Sequence, residues 1–105
     1  MATAVKEYEK LIASFGENDG VSVSQMFGKP CLKINGKAFI AQHLEAVIFK
    51  LSGADHARAL GIPGAALWDP SGKGRPMKEW VALPTIASQH FESFASAALE
   101  YVIKA

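Results

Sequence analysis

Apolar residues recur at helical spacing at the start of the chain. Val5, Tyr8, Leu11, Ile12 and Phe15 share one stripe, with Glu7, Glu9 and Lys10 on the other side. Gly16 and the turn chemistry of Glu17-Asn18-Asp19-Gly20 follow, so the pattern predicts a helix over about 3–15. From Val21 the period shortens towards two, and Val21 and Val23 alternate with serines. Cys31-Leu32-Lys33-Ile34 and Lys37-Ala38-Phe39-Ile40 flank Asn35-Gly36, the pair favoured where a type I′ turn needs positive φ at both central residues. A hairpin closed there sets Ile34 opposite Lys37, Lys33 opposite Ala38 and Leu32 opposite Phe39. Leu32, Ile34, Phe39 and Ala41 then share the core face.

Ala46 to Leu51 is apolar enough for a further strand. Ser52-Gly53-Ala54-Asp55 has the form of a capping box, with Asp in the place of Glu, ahead of a short helix over 55–60 that ends at Gly61. Ala65–Trp68 and Met77–Leu83 are short strands, the second ended by Pro84. Ser88 is the expected cap of a last helix striped by Phe91, Phe94, Ala95, Ala98, Tyr101 and Val102. Short turns between consecutive strands make the sheet mostly antiparallel. The fold class expected is α+β: an antiparallel β-sheet with the N- and C-terminal helices packed on it, in one domain over residues 1–105.

Composition narrows the function classes. Half of the 105 residues are hydrophobic and 20% are charged, which is ordinary for a globular domain and excludes a disordered chain. Cys31 is the single cysteine, so neither an internal disulfide nor a Cys-rich zinc site is available. His43, His56 and His90 lack metal-ligand spacing, and no metal or other cofactor is expected. No apolar run has the length of a signal peptide or a membrane span, and a cytoplasmic location is expected.

The net charge of +1 hides a division along the chain. Residues 29–78 hold eight cations (Lys29, Lys33, Lys37, Lys50, Arg58, Lys73, Arg75, Lys78) and three acids, a balance of +5. The segments before and after carry −2 each. A basic middle of this kind either guards strand edges or attracts phosphates. Asp69 to Trp80 has the same two readings. Asp69-Pro70-Ser71-Gly72 is a type I turn by composition, and Gly72 and Gly74 bracket Lys73, with Arg75 and Lys78 following. This is either a solvated hairpin tip or a cradle of backbone N–H groups and cations for an anion. The candidate nucleic-acid or anion contacts are Lys73, Arg75, Lys78, Lys29, Lys33 and Lys37. Trp68 and Trp80 bracket the segment, as core residues or as a platform for bases. Cys31 is expected to be a packed strand cysteine, and no catalytic constellation is evident.

One ordered set of motifs goes further. Met26-Phe27-Gly28-Lys29-Pro30, Gly36-Lys37-Ala38-Phe39, Phe49-Lys50-Leu51, Pro63-Gly64-Ala65 and the long run from Asp69 to Trp80 together resemble the superfamily that holds the N-terminal domain of the competence regulator TfoX and the YjbR/MmcQ-type small proteins. The likeness spans about Val23 to Val102. It implies a double-wing α+β domain and a DNA-binding or regulatory role. The function expected is therefore a non-catalytic binding or regulatory module, with nucleic acid as the leading partner class. The alternative is a protein–protein adaptor or small-molecule-sensing domain.

Overall fold

The computed structural model describes residues 3–26, 28–70, 73–74 and 76–104. The order is α1 (Ala4–Phe15), β1 (Val21–Met26), β2 (Lys29–Ile34), β3 (Lys37–His43), β4 (Ala46–Lys50), α2 (Gly53–Leu60), β5 (Ala66–Trp68), β6 (Met77–Pro84), a 3₁₀ helix (Thr85–His90) and α3 (Phe91–Lys104). The strands form one six-stranded sheet in the order β1-β2-β3-β4-β6-β5, antiparallel throughout. This is the expected α+β arrangement, with the first and last helices packed on the sheet.

The helices all gather on one face. Tyr8, Leu11 and Phe15 of α1, Ala59 of α2 and Phe91, Phe94, Ala98 and Val102 of α3 join Leu32, Ile34, Phe39, Ile40, Val47, Phe49, Val81 and Leu83 in one core. Phe49 is its aromatic centre, with ring centroids 5.4 Å from Phe91 and 6.1 Å from Phe94. The Tyr8 hydroxyl ends in this core with no hydrogen-bond partner among the described residues, and burial raises its pKa. The opposite face carries a second buried cluster, Cys31, Ala41, Ile48, Trp68 and Trp80, to which no helix contributes a residue.

The β2–β3 hairpin closes at Asn35-Gly36, with φ of 51° and 82°. A Cβ at Gly36 meets nothing within 4 Å, so a side chain there costs backbone strain alone. Gly36→Val is expected to lower stability by about 1–3 kcal/mol, read from urea midpoints, and an unchanged midpoint would remove the turn's role.

Beyond the turn the register departs from simple alternation. Ile34 faces Lys37 and Lys33 faces Ala38 as expected, but Leu32 faces Ile40 rather than Phe39. Phe39 is the extra residue of a β-bulge, which turns both Phe39 and Ile40 into the helix-side core. Ala41 consequently lies on the other face, beside Cys31 and Ile48, and not with Leu32 and Ile34.

Two helix starts also differ from expectation. Ser52 precedes α2 but makes no side-chain cap, and Asp55 pairs with Arg58 at 3.3 Å, one turn along its own helix. Ser88 lies within the 3₁₀ helix, where its carbonyl, not its hydroxyl, accepts the Phe91 N–H. That tight turn buries Ala87 and carries the chain from β6 into α3, so no capping side chain is needed there. Among the described residues no helix is long and apolar enough to cross a membrane.

Candidate functional site

The second face is built around Trp68. This residue ends the three-residue edge strand β5, yet only 4% of it is exposed, as for Trp80. The two rings meet edge to face at 5.6 Å. Beneath them the sheet offers Cys31, Ala41 and Ile48, with Ala38 and Ala82 at the margin. Small side chains let two indoles settle on a bare sheet, and the paired rings shield them from water without a covering helix. The pair does not face across the hairpin: Trp68 is opposite Met77, because the β5–β6 register shifts after Leu67. At 4% exposure neither ring offers a face to a nucleobase.

The Trp68 indole N–H donates to Nδ1 of His43 at 3.1 Å. That bond requires a lone pair on Nδ1, so the bonded imidazole is neutral with its proton on Nε2. Burial, and secondarily the charge of Lys29, lowers the His43 pKa from the ordinary histidine value. A depressed histidine pKa means that the unfolded chain binds the proton more readily. The contribution is therefore fully present above the unfolded value near 6.5 and is lost as pH falls through the lowered folded value. Urea midpoints of wild type are expected to drop across that window, and those of His43→Gln to drop less. Parallel curves for the two proteins would detach His43 from the acid response.

Lysines surround this cluster. Lys29 and Lys33 flank Cys31 on the same side of β2, opposite Met26 and Ser22 of β1. Lys50 of β4 stands over the Trp80 ring, its Nζ 6.0 Å from the centroid. Lys29 also acts on His43, and Lys33 on Cys31. The only carboxylate within the strands, Glu79, turns to the helix side, where its Oε2 accepts the Tyr101 hydroxyl of α3.

The other sequence candidates are spread more widely. Lys37 opens β3 opposite Ile34, on the helix side of the sheet. Lys78 is exposed on β6, and its carbonyl accepts from His56 Nε2 at 2.7 Å. Lys73 is exposed in the β5–β6 connection. In that connection the Gly74 N–H donates to the Asp69 carboxylate at 2.8 Å, so this amide is already bonded to an anion of the chain itself. Arg75, Ser71, Gly72 and Phe27 lie outside the described residues. Lys50, part of the basic middle and of the Phe49-Lys50-Leu51 motif but not one of the candidate contacts, belongs to the lysine group by its position. Its alternation with Phe49 is the signal that could have found it.

Cys31 is fully buried, and burial pushes its thiol pKa up, with Lys33 pulling the other way. A closed, protonated thiol is not set up as a nucleophile. Elsewhere the surface holds a groove of about 230 Å³ lined by Ile62, Pro63, Ile86, Ala87, Gln89 and His90, in which Ile86 is 83% exposed. No protein-family model, no curated protein and no solved structure matches the chain.

Proposed function

We propose that the protein is a non-catalytic binding module that contacts nucleic-acid phosphates with the helix-free face of its sheet. The observation that carries this is the composition of that face. Its charged strand side chains include Lys29, Lys33 and Lys50, and the one strand carboxylate is turned away and bonded to Tyr101. Such a face attracts a polyanion without base-specific contacts, which suits backbone binding that rises steeply as salt is lowered. Lys73 and Lys78 extend the candidate surface along the β5–β6 connection and its following strand, and Arg75 stays a candidate from its place in the sequence. The ordered motifs from Met26 to Trp80 support membership of the TfoX N-terminal and YjbR superfamily, with the double-wing fold and regulatory role that this implies.

The test is a fluorescence-anisotropy titration of random duplex and single-stranded DNA across a salt series. Binding that weakens log-linearly with salt is expected. No binding at low salt, where the electrostatic contribution is greatest, would overturn the proposal. The exposed Ile86, seated beside Ile62 and Pro63, favours a second reading as a protein–protein adaptor through an apolar contact. An Ile86→Asp variant that leaves DNA binding unchanged separates that surface from the lysine face.

A further inference from the structure

The two edges of the sheet are finished differently. β5 is three residues long and its pairing breaks after Leu67, a short and irregular edge that offers little to a partner. β1 is the reverse. It runs six residues, Val21-Ser22-Val23-Ser24-Gln25-Met26, in unbroken register with β2, and carries no charge, proline or bulge. Val23 is 60% exposed on it. None of the devices that keep natural edges from pairing is present in these six residues.

The direction of the backbone groups follows from the turn. The Gly20 carbonyl accepts the Asn35 N–H at 2.8 Å, so Gly20 faces β2. Alternation then turns Ser22, Ser24 and Met26 towards β2, and Val21, Val23 and Gln25 outward. Pro30, which has no N–H to give, sits opposite Gln25, one of the outward positions, as this phase requires. The Val21 N–H is held by the Asn18 carbonyl at 3.1 Å. The N–H groups of Val23 and Gln25 and the carbonyls of Val21, Val23 and Gln25 point away from the sheet.

We propose that β1 pairs antiparallel with β1 of a second copy of this chain, about a two-fold axis at Val23. In that register Val23 exchanges both backbone bonds with Val23 of the second copy, and each Gln25 N–H donates to a Val21 carbonyl. The exposed Val23 side chains meet on the helix side, and Ser22 meets Ser24 on the lysine side. Charge selects the antiparallel arrangement. Glu17 and Asp19 are exposed just before β1, while Lys29 opens β2 just beyond its other end. A two-fold brings the acidic end of each copy to the basic end of the other. The axis is perpendicular to the sheet, so the lysine faces of the two copies lie on one side of a continuous sheet twice as wide. The pairing does not rest on nucleic-acid binding, and its test reads mass alone.

That test is sedimentation equilibrium of the full chain over a range of concentrations. Wild type is expected to pass from 11.2 kDa to twice that mass as concentration rises, since one strand edge is a small interface that dissociates on dilution. Val23→Pro removes an outward N–H and no bond to β2, and is expected to stay monomeric with its circular dichroism unchanged. Val23→Lys keeps every backbone N–H, sets two like charges face to face on the axis, and is expected to be monomeric whether or not the proline variant folds. Glu17→Lys with Asp19→Lys is expected to weaken the dimer, and Lys29→Glu added to that pair to restore it. A wild type that stays monomeric at millimolar protein overturns the proposal and leaves the edge to an extended segment of another protein. A Val23→Lys variant that dimerises like wild type, or an indifferent charge swap, also overturns it.

Discussion

Trp68→Ala is expected to lower the stability of the protein by about 3–5 kcal/mol. Three losses coincide. The buried indole leaves a cavity over Cys31, Ala41 and Ile48, with no helix above to collapse into it. Trp80 loses its edge-to-face partner at 5.6 Å and becomes open to water. His43 Nδ1 loses the donor that held it neutral. Against a total stability of about 5–15 kcal/mol for a natural domain, this brings the variant close to unfolding at room temperature. Trp68→Phe separates the contributions, since it keeps most of the apolar volume and removes the N–H. It is expected to cost less and to flatten the acid response attributed to His43. Urea denaturation of both variants checks the claim, and a cost below about 1 kcal/mol for the alanine variant would show that the helix-free face is not a second core.

That second core explains which parts of the fold could be seen in the sequence. The first and last helices were legible because their stripes are long and face one large core, as with Tyr8, Leu11 and Phe15. Asn35-Gly36 was legible because few residue pairs accept two positive φ values. The bulge was not, since alternation counted through Phe39-Ile40-Ala41 has no mark where the phase slips. In retrospect two large apolar residues followed by an alanine fit a strand that buries both on one side and leaves the small one under an indole. The β3–β4 turn was silent for a different reason. Leu44 takes a φ of 53° there, with its carbonyl accepting from the Gln42 amide, in a position where glycine or asparagine would have announced the turn.

The candidate site was legible in sign and not in arrangement. The basic middle of the chain is a sum over residues that the sheet then sorts by face. Lys29 and Lys33 stay together because they are four apart on one strand; alternation with Phe49 gives the side of Lys50, but its place over Trp80 comes from the pairing of β4 with β6, which no local pattern reveals. Lys37 is separated from them by its place opposite Ile34, and the Gly74 amide is bonded within its own loop by Asp69. The first follows from the hairpin register that Asn35-Gly36 sets and the second from a contact inside one loop, and a charge count registers neither.

The sorting gives the binding proposal its sharpest expected result. Lys29→Glu with Lys33→Glu should weaken DNA binding by well over tenfold at low salt and reduce the magnitude of the salt slope by about 0.9 for each phosphate left unneutralised. Lys50→Gln added to the pair should weaken it further. Lys6→Glu with Lys10→Glu, on α1 and away from the lysine face, should leave binding within a few-fold of wild type, although Glu7, the partner of Lys10 at 3.3 Å, is only 11% exposed and loses that partner. Lys73→Glu with Arg75→Glu tests the β5–β6 connection separately. A loss of affinity there equal to that from Lys29 and Lys33 makes face and connection one surface, and no loss confines binding to the strands. The changed lysines are exposed or half-buried, so circular dichroism should stay near wild type, and a lower urea midpoint is expected only where Lys10→Glu leaves the buried Glu7 unpaired. If the β2 pair leaves both affinity and salt slope unchanged in a protein that binds, the helix-free face is not where the phosphates lie.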